Sequence, residues 1–257
     1  MPPPGKLIAL EGIDGSGKGT QLEMLARALA SRRISFSRIS FPRYEGFFGR
    51  LVARFLNGDF GELSSVDPHF SALVYAGDRL EAKHAIEANL AAGRIVLADR
   101  YIGSNLAHQG ARALREGRAS FLEWLKQLEY EIYALPQEDL VIYLRVPAEE
   151  AQRLVGQKAA RDYTTLRRDI LEADLAHLKA ASEVYDELAG QPSWVTIECF
   201  DPAKRALRSA DSIHRELLAE IERRALKVRR PIGKKGRPAA ASGRRAAERH
   251  SRGRSKR

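Results

Sequence analysis

The sequence predicts an α/β fold, a five-stranded parallel sheet flanked by helices, with a basic C-terminal tail. Three observations predict it. Short apolar runs alternate with longer stretches whose apolar residues recur at the helical spacing, the pattern of successive βαβ units. A glycine-rich turn separates the first such run from the first helical stretch. Charge is partitioned along the chain: of 257 residues, 43 are Lys or Arg and 33 Asp or Glu, a net +10. Lys227 to Arg257 holds thirteen basic residues against Glu248 alone, so that stretch carries +12 and the first 226 residues carry −2. A slightly acidic globule with a basic appendage follows, and a disulfide-stapled, collagenous or wholly disordered chain is excluded.

Five strands are expected, at Leu7–Leu10, Phe36–Phe41, Ile95–Ala98, Leu140–Leu144 and Trp194–Cys199. After the first, Leu22, Leu25, Ala26 and Leu29 mark the core face of a helix. Asp67-Pro68 and Asp201-Pro202 each put a capping carboxylate ahead of a proline at the first helical position. Ser120 with Glu123 reads as a capping box, and Leu135-Pro136 ends the helix it opens. Gly93 and Gly190 stand where a helix can close in a left-handed residue. On the helix from Pro68 to Ala92, Phe70, Leu73, Val74 and Gly77 are expected to face the core, with Tyr75 and Arg79 sharing another face.

The single cysteine, Cys199, cannot close an intrachain disulfide and reads as a small buried strand residue. The apolar run Leu7 to Leu10 is too short for a secretory segment, and no stretch approaches the roughly 20 apolar residues of a membrane span, so a soluble, cytoplasmic protein is expected. Past Ile221 the periodicity fades. Pro231 to Arg257 has no aromatic residue and, after Ile232, no large aliphatic one, too little apolar surface to offset its ordering entropy. Residues 226–257 are therefore expected to be a disordered tail.

The chemistry starts at Gly12-Ile13-Asp14-Gly15-Ser16-Gly17-Lys18-Gly19-Thr20, which has the spacing of a Walker A loop. Such a loop turns its backbone N–H groups inward onto phosphate, which requires glycines for positive φ and close approach, and the helix that follows adds its partial positive charge. Lys18 supplies a full charge. Gly19 stands where a hydroxyl residue normally contributes to Mg²⁺, which leaves Thr20 as the nearest hydroxyl. A P-loop NTPase fold is therefore expected. Asp99 and Arg100 follow the third strand, whose carboxyl end shares an edge with the loop. Asp99 suits Mg²⁺ coordination there. Arg100, read as too distant to duplicate Lys18, suits a second phosphate.

Together these residues resemble the thymidylate kinases, over Lys6 to about Ile221. Glu11 to Thr20 is similar to that family's phosphate loop. Ser40-Phe41-Pro42-Arg43-Tyr44 resembles its Phe-Pro-Arg segment, and Asp99-Arg100-Tyr101 with Ser104 to Gln109 resembles its Asp-Arg-Tyr-x-x-Ser-x-x-Ala-x-Gln stretch. The resemblance implies a kinase domain over residues 1–225, transferring the γ-phosphoryl group of ATP, with Mg²⁺, to dTMP, in a homodimer. It implies ATP binding by Gly12, Asp14, Gly15, Ser16, Gly17, Lys18, Gly19 and Thr20, and metal binding by Asp99, Asp14 and Thr20. For dTMP it implies Asp14 near the 3′-hydroxyl, Arg43, Tyr44 and Arg100 around the phosphate, Tyr75 stacked on the base, Arg79 bonded to its exocyclic oxygen, and Asn105 and His108 lining the nucleoside pocket. Residues 155–165, with Gly156, Lys158, Arg161, Asp162 and Tyr163, are similar to the family's lid. The loop has no arginine of its own, so Arg161 would bring the extra transition-state charge, with Lys158 or Arg153 as substitutes. Asp174 matches an acidic position near the active site.

Two other readings remain at this level. One is another nucleoside monophosphate kinase or a polyphosphate kinase on the same scaffold, which Gly17-Lys18-Gly19 would also suit. The other is a P-loop nucleic-acid-binding protein, suggested by the tail, whose thirteen cations suit either non-specific polyanion binding or simple solubility.

Overall fold

A computed structural model describes residues 4–155, 171 and 174–226. The expected lid, residues 156–165 with Arg161 and Lys158, and the tail from 227 onward lie outside the described residues. All five strands form: β1 (Lys6–Glu11), β2 (Phe36–Ser40), β3 (Ile95–Asp99), β4 (Leu140–Arg145) and β5 (Trp194–Glu198). They make one parallel sheet in the order β2-β3-β1-β4-β5. Leu7 to Leu10, Leu97, Ala98, Ile142 and Leu144 have no exposed surface, as strands covered by helices on both faces require. Cys199 falls just beyond β5, buried, and burial pushes its thiol up to about 12.

Register fixes where chemistry is possible. Leu10 pairs with Asp99 and Ser40 with Asp99, so β1, β2 and β3 end level. The chain leaves β1 for β3 and β2 on one side and for β4 and β5 on the other, and this reversal opens a crevice at the carboxyl edge. Helix α1 (Lys18–Ser31) starts there and buries Leu22, Leu25, Ala26 and Leu29, as their spacing predicts. Helix α2 (Phe47–Leu56) lies against α3 (Pro68–Ala91), and α4 (Ile102–Gly110) follows β3 directly. Then come α5 (Arg118–Lys126), α6 (Ala148–Val155), α7 (Leu175–Leu188) and α8 (Ala210–Arg224).

Local chemistry explains most boundaries. Asp67 caps α3 by accepting from the His69 N–H at 2.7 Å, with Pro68 in the first turn, and Gly93 has the expected positive φ. Three expectations fail. Ser120 and Glu123 form no capping box, because a 3₁₀ turn at Arg115–Gly117 already carries the chain into α5, two residues before Ser120. Gly190 does not adopt positive φ, since α7 closes in right-handed geometry at Ala189. Asp201 opens no helix: it lies in β6 (Phe200–Asp201), which pairs antiparallel with β7 (Ala206–Leu207), and its carboxylate caps the intervening turn at Ala203 and Lys204. Ser209 caps α8 instead.

The core face of α3 also differs. Val74 and Gly77 are buried, but Phe70 and Leu73 are 45% and 39% exposed. A Cβ on Gly77 would stand 2.4 Å from the Phe48 ring, so α2 packs hard against small residues there. The helix therefore turns Asp78 and Arg79 inward and leaves Phe70, Leu73 and Leu80 on an outer stripe.

Candidate active site

Gly12, Gly15 and Gly17 all have positive φ, and the first two have no room for a side chain. A Cβ on Gly12 would meet the Leu144 carbonyl at 2.7 Å, and one on Gly15 the Ala151 carbonyl at 2.2 Å. Gly19, by contrast, is helical with nothing within 4 Å of an added Cβ. Thermal unfolding should separate the two. Gly15→Ala is expected to lose on the order of 2–3 kcal/mol, whereas Gly19→Ala should change stability by less than about 1 kcal/mol. Equal losses would mean the loop is not held by close backbone approach.

The loop forms one wall of a cavity of about 320 Å³ at the carboxyl edge. Lys18 is buried, and its Nζ donates to the carbonyls of Gly12 at 2.9 Å and Ile13 at 3.0 Å. Burial, with Arg100 nearby, lowers its pKa to about 8. Arg100 also reaches Gly12: its Nη1 donates to the same carbonyl at 3.1 Å and to Ser104 Oγ at 3.0 Å. Its Nη2 pairs with Asp14 at 2.7 Å. The two cations share one carbonyl, so the expectation that Arg100 stands apart from Lys18 is corrected. The backbone explains it, because Arg100 adopts φ 65° and bonds its N–H to Leu10 on β1, which folds the side chain back over the loop. Non-glycine residues in this region are strained and tend to mark functional sites.

Asp14, Gly15, Gly17, Lys18, Gly19, Asp99 and Arg100 all face the cavity. So do Tyr44, Tyr75, Arg79, Asn105 and His108. Gly12, Ser16, Thr20 and Arg43 do not line it. Thr20 is exposed on the first turn of α1, while Ser16 Oγ is buried inside the loop without a hydrogen-bond partner. Arg43, next to the lining residues Pro42 and Tyr44, donates its backbone N–H to Asp78 at 2.7 Å, and its buried Nη1 has no hydrogen-bond partner. Asp174 caps α7 through the His177 N–H at 3.0 Å, which accounts for its carboxylate locally. Arg153 pairs with Glu150 on α6.

At the other end of the cavity Tyr75 meets Phe55 edge to face, with ring centroids 6.3 Å apart. Arg79 is 2% exposed and held by Glu129 through two bonds, Nε to Oε2 at 2.5 Å and Nη2 to Oε1 at 2.6 Å. Burial would lower the Arg79 pKa, but the Glu129 carboxylate, with Tyr101 and Asp78, outweighs it and raises it. Asn105 Nδ2 donates to Glu129 at 2.8 Å and to the Ala72 carbonyl at 3.0 Å, while its buried Oδ1 has no partner.

His108 lies between Arg100 and α7. Arg100 Nη1 lies 3.4 Å from His108 Nε2, and His108 Nδ1 lies 3.2 Å from His177 Nε2. Arg100 Nη1 already spends its two hydrogens on Gly12 and Ser104, so the two imidazoles can share one proton between Nδ1 of His108 and Nε2 of His177 in either sense. Burial, Arg100 and His177 push His108 well below the usual histidine range, and burial lowers His177 to about 4, so both rings are neutral at physiological pH.

Sequence reasoning missed Glu129 and His177 as parts of the site, and gave Glu11, at the head of the loop motif, no role of its own. Glu11, fully buried at the end of β1, accepts from the Tyr101 N–H at 2.8 Å, Ser104 Oγ at 2.6 Å and Tyr185 Oη at 3.0 Å. It thereby ties the phosphate loop to α4 and α7. A charged residue ending an apolar strand was the available signal. Among the described residues no group of three or more Asp, Glu, His or Cys side chains forms a metal cage.

A family model described as thymidylate kinase matches residues 10–221. Thymidylate kinase of Mycobacterium tuberculosis (strain CDC 1551 / Oshkosh) is 34% identical over 186 residues, 72% of this chain and 86% of the relative. A probable thymidylate kinase of Pyrobaculum aerophilum is 33% identical over 208 residues, covering 78% and 97%. Among solved structures, thymidylate kinase from Candida albicans matches with a TM-score of 0.67 at 21% identity, covering 86% of this chain and 92% of that one, a likeness of fold.

Proposed function

The chain belongs to the thymidylate kinase family, and from that premise we propose that its cavity brings a nucleoside triphosphate and a thymidine monophosphate together for direct phosphoryl transfer. The protein is a phosphotransferase: an oxygen of the dTMP phosphate attacks the γ-phosphorus of ATP, the bond from that phosphorus to the β–γ bridging oxygen breaks, and ADP and dTDP leave. One observation carries the dTMP reading. The cavity that is lined by a phosphate loop is also lined by Tyr75, Arg79 and Asn105, whose buried Oδ1 has no hydrogen-bond partner. Thymine offers a flat ring, an acceptor at O4 and a donor at N3, which that set complements.

The residues divide the work by position. The loop N–H groups and Lys18 hold the donor phosphates, while Arg100, braced by Asp14, lies between donor and acceptor and offsets their mutual repulsion. Arg43 and Tyr44 complete the acceptor phosphate site, and neutral His108 lines the sugar side. Ser16 and Thr20 serve the loop. Arg161 brings a further positive charge with the lid. Asp99 and Asp14 would hold a Mg²⁺ that arrives with ATP, which would supply charge neutralisation to the nucleotide phosphates. Such sites need only one or two carboxylates, and Asp99 and Asp14 face the cavity.

The assay is dTDP formation from ATP with a panel of dTMP, dUMP, AMP, UMP and inorganic polyphosphate. Preference for dTMP is the expected result. ATP consumption without dTDP would overturn the reading.

A homodimer accounts for the stripe Phe70, Leu73 and Leu80 on α3, which are 45%, 39% and 38% exposed and share one helical face. Light scattering should find dimers of the full chain and monomers of Leu73→Arg, and a dimeric variant would exclude this face. The tail would bind polyanions weakly and in a salt-dependent manner. No described helix is long and apolar enough to cross a membrane, which fits a cytoplasmic enzyme.

A further inference from the structure

Glu129 touches no part of the cavity, yet the base corner is built on it. At the end of α5 the helix widens to π geometry across Gln127–Ile132, an irregularity often found at functional sites, and Glu129 within it is fully buried. Its carboxylate accepts from both Arg79 and Asn105.

An ionised carboxylate has acceptors only, whereas a carboxamide has a donor end and an acceptor end. Facing Glu129, Asn105 must present its NH₂. The second hydrogen goes to the Ala72 carbonyl, so both donors are used and Oδ1 alone is left. We propose that Glu129 sets the hydrogen-bonding polarity of the base pocket. By accepting from both Arg79 and Asn105, it leaves Asn105 an acceptor beside an arginine donor, which selects a pyrimidine with a protonated N3 and a C4 oxygen over its 4-amino counterpart. The 4-amino base would put a lone pair against Oδ1 and an amino group against the guanidinium. Glu129 is thus a positioning residue, and its role rests on the dTMP reading above.

The test compares dTMP with 5-methyl-dCMP, which differ only at positions 3 and 4, on the full-length chain. Wild-type turnover of dTMP tests the underlying reading, and its absence would sink that reading irrespective of Glu129. Given turnover, Glu129→Gln offers an N–H to Asn105 and allows the amide to turn. KM for dTMP should rise about tenfold and the kcat/KM ratio of dTMP to 5-methyl-dCMP should fall by about tenfold or more, with KM for ATP unchanged within about twofold. Glu129→Asp remains acceptor-only and should keep the ratio within about threefold even if KM rises. An unchanged ratio in the Gln variant, or an equal collapse in the Asp variant, overturns the proposal. Hydrogen exchange on the wild-type protein decides it independently of whether the Gln variant folds. Both Asn105 carboxamide protons should exchange slowly, and rapid exchange of either refutes the orientation.

Discussion

Lys18→Met will lower kcat on the order of 10⁴-fold, at the scale at which a single buried cation acts on a transferring phosphoryl group. The magnitude follows from position. Lys18 is buried at the first turn of α1, and the loop carbonyls of Gly12 and Ile13 already fix its ammonium, so little reorganisation precedes reaction. Methionine preserves much of the apolar stem but no charge, and Arg100, committed to Asp14 and Ser104, cannot move into the gap. Turnover within tenfold of wild type would remove Lys18 from the mechanism. The same burial predicts a pH signature. With its pKa lowered to about 8, Lys18 in the free enzyme loses its proton as pH rises through 8, and with it its attraction for ATP. The kcat/KM for ATP should therefore fall above pH 8, while kcat, measured with the polyphosphate charge already beside Lys18, holds to higher pH. Lys18→Met should lack that alkaline limb, and a limb of unchanged position in the variant would assign it to another group.

Arg79→Ala will damage both substrate binding and the fold. Removing the guanidinium leaves Glu129 fully buried and uncompensated, a loss of about 3–5 kcal/mol when one partner of a buried pair is deleted. Thermal unfolding should fall on the order of 10 °C for a domain of this size. In whatever remains folded, KM for dTMP should rise far more than KM for ATP, because Arg79 lies at the base end of the cavity and Lys18 at the other. Neutralising both partners, as Arg79→Gln with Glu129→Gln, should recover much of the stability without the dTMP affinity. Equal loss of dTMP and ATP affinity in that double variant would show that Arg79 does not read the base.

The main structural features were legible because they depend on neighbours in sequence. Alternating apolar runs marked all five strands to within a residue or two, and Asp67-Pro68 gave the start of α3 from local hydrogen bonding alone. The phosphate loop was legible for the same reason: three positive-φ glycines and a lysine are a short-range requirement. Two of the failures came where a distant element competed. Asp201 looked like a helix cap until Ala206–Leu207 paired with its strand, and Phe70 and Leu73 looked like core until Phe48 claimed the space beside Gly77.

By itself, then, the sequence determined the order of strands and helices, the phosphate-binding turn and the residue types carried to the carboxyl edge of the sheet. Only the tertiary structure decided how those side chains are oriented: Arg100 folded back onto Gly12, Asp174 used up as a cap, and Asn105 turned by Glu129, 24 residues away. Backbone conformation is governed largely by short-range sterics and hydrogen bonds. The direction of a buried polar group is instead set by whichever partner packing places against it, and a glutamate such as Glu129 shows no mark of that partner in its own neighbourhood.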